Sequence, residues 1–136
     1  MRSFTQDYKY GIAKQSPILP HIRKFFNDNE IKELEGKYSK HDFIGCGKTF
    51  ELKSRTNKSS QYPDTLLPAD KVLDTPNKQI FLFNFTDKLT YIEYDKETFS
   101  KFKCVPFRRH QRSDFNDKEK LYYHIPISKL KTICLY

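Results

Sequence analysis

Cysteine is scarce in this chain of 136 residues: Cys46, Cys104 and Cys134 stand far apart and are odd in number. They provide neither a disulfide framework nor a Cys-X-X-Cys metal pair, so a reducing intracellular setting is expected, cytoplasm or nucleus. No apolar run approaches the thickness of a bilayer, so no membrane partner is expected. The segment from Met1 to Asp7 has none of the apolar character of a signal peptide. Internal repeats and low-complexity linkers are also missing. Acidic residues are outnumbered, 17 against 25 basic ones, for a net charge of +8 and a pI near 9.3. That excess suits a polyanion such as nucleic acid. Much of it is lysine, in a chain also rich in Asn, Ile, Phe and Tyr, a bias that an AT-rich genome produces as well. Twelve Phe and nine Tyr place the sequence among folded chains rather than disordered ones. Its length fits one domain, residues 1–136, with a real core.

Patterning gives a coarse order of elements. Leu19, Ile22 and Phe26, flanked by Ile18 and Phe25, carry helical spacing and predict a helix within 12–29. Pro17 and Pro20 confine its regular part to about Pro20–Asn27. Residues 30–36 are compatible with a short helix or a strand. A strand through Asp42 to Ile44, a turn at Gly45-Cys46-Gly47 and a returning strand Lys48 to Arg55 follow. A polar loop, 56–63, leads to a short helix beginning at Pro68. Gln79 to Phe85 is apolar at nearly every position, as expected of a strand buried on both faces. Leu89 to Tyr94 alternates and predicts its antiparallel partner. A helix at 96–102 and a strand at 121–125 complete the order, the stretch 96–136 being a less specific extension.

The hairpin carries the chemistry. Alternation along a strand puts Glu51 and Lys53 on one face with Leu52 packed behind them. The glycine turn brings Asp42 alongside. Two carboxylates and a lysine then share one pocket, and Mg²⁺ is characteristically held by one or two carboxylates with room left for a phosphate. The rival use of these residues is an exposed cross-strand charge cluster.

Asp42…Glu51-Leu52-Lys53 resembles the metal-binding element of the PD-(D/E)XK nuclease superfamily, with His41 in place of the usual proline. Glu51-Leu-Lys-Ser-Arg55, then Tyr62-Pro63 and Asp70-Lys71-Val72, is similar to small nucleases of phages and large DNA viruses. The resemblance covers roughly residues 11–95. It implies an α/β fold, a restriction-endonuclease-like central mixed β-sheet flanked by helices, and the setting of an infected host cell. It also implies that Asp42, Glu51 and the Leu52 backbone carbonyl bind Mg²⁺ or Mn²⁺. Lys53 would orient or deprotonate a water, with in-line attack leaving a 5′-phosphate. Nucleases of this fold often carry a glutamate on the first helix. Here the chain offers Gln15, which supplies no charge and argues for one well-held metal over two. Glu33 and Glu35 are the substitutes to weigh against ordinary solvated acids.

Around this core, Arg55 and the Ser54, Thr56 and Asn57 groups can position a phosphate. Lys71 is expected to face the site or to be a solvated lysine. Lys101 to Ser113 holds Lys101, Lys103, Arg108, Arg109 and Arg112 without an acid. With Phe102 and Phe107 interleaved, it suits contact with a phosphate backbone. His41 and His124 read as packing or surface residues, and Cys46 as a small turn filler. The function expected is a metal-dependent deoxyribonuclease, structure-selective or nicking, with room for a homodimer. Its alternatives are an inactive nucleic-acid-binding module of the same fold, or a basic interaction protein.

Overall fold

The computed structural model describes residues 17–34, 41–107 and 120–136. Among them, helix α1 covers residues 17–25. Ile18 and Ile22, one turn apart, are buried, with Leu19 and Phe26 packed beside them. The helix stops where Asn27 takes a φ of 51°, a left-handed conformation that asparagine tolerates better than most residues. Asp28 N–H reaches back to the Arg23 carbonyl at 3.0 Å, satisfying an end of the helix that would otherwise be open.

Among the described residues nine strands follow: β1 (Lys32–Glu33), β2 (Phe43–Gly45), β3 (Lys48–Ser54), β4 (Asp64–Pro68), β5 (Lys78–Asn84), β6 (Lys88–Glu93), β7 (Lys103–Phe107), β8 (Lys120–Pro126) and β9 (Lys131–Leu135). A short helix α2 (Lys96–Ser100) lies between β6 and β7. Six strands form a mixed sheet in the order β1-β2-β3-β5-β6-β9, parallel only between β3 and β5. The other three form an antiparallel sheet, β4-β8-β7.

Strand β5 decides how the layers stack. Ile80 and Leu82 enter a core with Ile18, Ile22, Phe43, Phe50 and Leu52, on the face covered by α1. Phe81, Phe83 and Phe85 enter a second core with Leu67, Phe99 and Ile125, on the face covered by the smaller sheet and α2. The near-continuous apolar run of β5 is therefore filled from both sides. The β2–β3 turn forms as expected: Gly45 pairs with Lys48, and Gly47 sits at a φ of +66°, which only glycine takes without strain.

Several sequence expectations are corrected. The helix expected from Pro68 is instead the end of β4 followed by one 3-10 turn, Ala69–Lys71. The basic loop expected from Lys101 begins with strand β7, and β9 closes the large sheet where no strand was expected. The large sheet is helix-covered on one face, while on the other a second sheet takes most of the place expected of helices. Residues 30–36 resolve, in their described part, as β1. Among the described residues no helix is long and apolar enough to cross a membrane.

Candidate active site

The site is built on β3 where it faces the smaller sheet. In the parallel register Glu51 stands beside Phe81 and Lys53 beside Phe83, so both project from the face of the second core, while Leu52 is buried toward α1. Asp42 comes just before β2. Its N–H donates to the Phe50 carbonyl at 2.9 Å, one residue out of step with the Phe43–Phe50 pairing, which holds it against β3. The Leu52 N–H donates to Asp42 Oδ2 at 2.7 Å, which fixes the carboxylate against β3. Alternate residues of a strand turn their amide groups to the same edge, so the Leu52 carbonyl leaves β3 on the Asp42 side.

Two lysines converge on Glu51. Its Oε1 lies 3.4 Å from Lys53 Nζ and 3.4 Å from Lys71 Nζ. Glu51 is 12% exposed, Lys53 23% and Lys71 38%, so all three meet at a sheltered but open margin. Lys71 arrives from the turn that follows β4, on the opposite sheet. The structure thus brings together Asp42, Glu51, Lys53 and Lys71, the last from the smaller sheet.

The electrostatics follow from partial burial of like charges. Burial, reinforced by the Glu51 charge, pushes Asp42 up to about 6. The Leu52 N–H and the Lys53 and Lys71 ammoniums oppose that rise without cancelling it. Burial likewise holds Lys53 below its ordinary value. Lys71 and Arg55 add to the effect, and Glu51 and Asp42 counter it. A carboxylate reluctant to ionise beside a second carboxylate is a place where a hard cation is favoured. Two carboxylates and a backbone carbonyl match what Mg²⁺ takes from proteins. Among the described residues no group of three or more His, Cys, Asp or Glu gathers at one point, so the acidic donors here are these two.

Other candidates are placed differently. Arg55 shares the face of Glu51 and Lys53 but turns to β4: its Nε donates to Thr65 Oγ1 at 3.2 Å, and its Nη2 to the Leu66 carbonyl. The guanidinium also lies over the Phe83 ring, 5.6 Å from its centroid. It ties the two sheets together. Arg55→Met is expected to lower stability by about 1–2 kcal/mol, because the β4 acceptors lose a charged donor. Urea unfolding measures it, and an unshifted midpoint would show that the tie contributes nothing.

Glu33 pairs in register with Phe43 and so lies on the face opposite Asp42. Gln15, Glu35, Arg108, Arg109 and Arg112 lie outside the described residues. His41 is half-buried, and Cys46 is exposed in its turn. His124 on β8 meets Asp64 of β4 at 3.6 Å, a pairing that no local spacing in the sequence signals.

Comparison with protein-family models, curated proteins and solved structures gives no match for the chain.

Proposed function

We propose that this protein is a metal-dependent endonuclease that hydrolyses phosphodiester bonds in DNA. The observation that carries the proposal is the pair Asp42 and Glu51, brought together by one hairpin with the acidity of Asp42 displaced toward neutrality, beside two lysine ammoniums. The fold lends support. A hairpin bearing the acidic pair, joined by a parallel strand and covered on one face by α1, is compatible with the helix-flanked mixed sheet of PD-(D/E)XK nucleases.

Asp42, Glu51 and the Leu52 carbonyl would hold Mg²⁺ or Mn²⁺. The bound ion supplies Lewis acidity toward a phosphoryl oxygen and a water of lowered pKa. Lys53, with its proton held more loosely than usual, stands where it can orient the attacking water or receive its proton. When it keeps that proton, it opposes the negative charge that develops on the phosphoryl group. Lys71 balances Glu51 and offers a second cation to a neighbouring phosphate.

The basic residues between β7 and β8 would extend this track. Strand β8 begins at Lys120, whose Nζ lies 4.0 Å from Asp70, the neighbour of Lys71. Replacing Arg108 and Arg109 together with Ala is expected to weaken binding to every DNA sequence alike. The slope of log affinity against log salt should flatten by about 2 on duplex DNA. An unchanged slope would remove this segment from the binding surface.

One observation favours a second reading, a catalytically silent DNA-binding module: the two lysine ammoniums both pair with Glu51 and balance its charge. Incubation with linear, nicked, branched and single-stranded DNA, with Mg²⁺ or Mn²⁺ and with chelator, separates the two. Metal-dependent cleavage of any of these supports the nuclease. Binding with no cleavage leaves the silent module, and no binding at low salt excludes both.

A further inference from the structure

A cavity of about 380 Å³ opens where β3 leaves the large sheet and β4 begins. Tyr62, Pro63, Phe85 and Ile127 give it apolar walls, and Asn57 and Asp64 give it polar groups. Its volume is at the lower end of small-molecule sites and suits one flat heterocycle. It is reached along the same strand as the candidate active site. Arg55, in its wall, follows Glu51 by four residues, roughly 13 Å at the rise of a β-strand. A nucleic-acid strand with a phosphodiester at Lys53 would pass the cavity mouth within a few nucleotides.

The charges in the cavity select what enters. The Arg55 guanidinium is bonded to Thr65 and Leu66. The Asp64 carboxylate faces His124 Nδ1 at 3.6 Å and would repel a phosphate. A base is different: it is uncharged, its exocyclic amino groups donate hydrogen bonds, and a carboxylate and an amide are suitable acceptors. Tyr62 supplies the stacking partner. It is 56% exposed at the rim, with its hydroxyl accepting from Gln61 Nε2 at 3.2 Å.

We propose that this cavity receives an unpaired base of the DNA strand held at Asp42, Glu51 and Lys53, stacked against Tyr62. The inference rests on the nuclease reading and assigns its substrate class: DNA carrying an unpaired nucleotide near the scissile bond, as in a bulge, a flap or a single strand. A paired base is excluded because its amino and carbonyl edge is occupied by its complement.

The test uses the full chain with Asp42→Asn, which prevents cleavage during binding, and two duplexes that differ only in one bulged 2-aminopurine. The bulged duplex is expected to bind about tenfold more tightly than the paired one, in the range of one base–aromatic stack, with a change in 2-aminopurine fluorescence on binding. Tyr62→Ala should abolish that preference and leave binding of the paired duplex unchanged, whereas Tyr62→Phe should keep it. Equal affinity for the two duplexes, or parallel loss of both in Tyr62→Ala, overturns the pocket. If Asp42-intact protein nevertheless cleaves DNA, the nuclease reading survives that result. If the protein neither binds nor cleaves any DNA, both fall.

Discussion

Lys53→Ala is expected to reduce Mg²⁺-dependent cleavage by about 10²–10³-fold, the usual effect of deleting one group that meets charge developing in a transition state. Binding of intact DNA should stay within about threefold of the unsubstituted protein, because Lys71 and the basic segment remain. The separation of the two effects is the informative part. Lys53 sits behind Glu51, sheltered, with its proton loosened by burial and by its cationic neighbours. Such a position is poor for collecting phosphates from solution and good for acting on a water or phosphoryl oxygen already in place. Lys71, more exposed, should show the converse: Lys71→Ala weakens binding and lowers the rate less. Single-turnover rates at saturating protein, set beside anisotropy titrations in chelator, measure both quantities. If Lys53→Ala lost binding and rate in equal proportion, Lys53 would be a docking residue, and the mechanistic role assigned to it would be wrong.

The hairpin that supports this argument was legible because its signals are local. Gly47 needs a positive φ at the turn, Lys48 to Ser54 alternates, and Leu52 on the far face is apolar. The apolar run of β5 identified itself for the same reason. Of the smaller sheet only β8, expected at 121–125, was legible, and the cause is specific. Its strand β4 spans Asp64–Pro68, bounded by Pro63 and ended by a proline that reads equally well as the start of a helix. What makes it a strand is pairing with β8, distant in sequence, and burial of Thr65 and Leu67. Propensity yields to such tertiary pairing. The site inherits the same limit. Asp42, Glu51 and Lys53 belong to one hairpin and could be grouped by spacing, whereas the meeting of Lys71 with Glu51 depends on how β4 lies across β3. Arg55 has a partner that spacing did not signal. In sequence it is one more cation after the Glu-X-Lys strand, and only the nearness of Thr65 and Leu66 reveals an internal tie.

Asp42→Asn is expected to stabilise the metal-free protein at neutral pH while abolishing its stabilisation by Mg²⁺. The sign follows from the raised folded-state value of about 6 against an ordinary 3.8. Below about pH 4 the carboxyl is protonated whether the chain is folded or not, and it contributes nothing. As pH rises toward 6 the unfolded chain ionises first, so stability declines, and above about pH 6 the whole penalty is present. At about 1.4 kcal/mol per unit, tempered by coupling to Glu51, it amounts to about 2 kcal/mol. Asparagine keeps an oxygen to accept the Leu52 N–H and removes the charge. Its melting temperature at about pH 7.5 should therefore exceed that of the unsubstituted protein by roughly 5–10 °C, with the two converging near pH 4. A cation at Asp42 and Glu51 reverses the preference by favouring the ionised carboxylates. Mg²⁺ at a hundredfold excess over its dissociation constant should add about 3 kcal/mol to the unsubstituted protein and far less to the variant. Thermal unfolding of both proteins across pH, with Mg²⁺ and with chelator, gives all four curves. Equal Mg²⁺ shifts in the two would place the ion elsewhere. A stability difference independent of pH would mean that the carboxylate pair is not strained, and with it would go the electrostatic case for a metal between these strands.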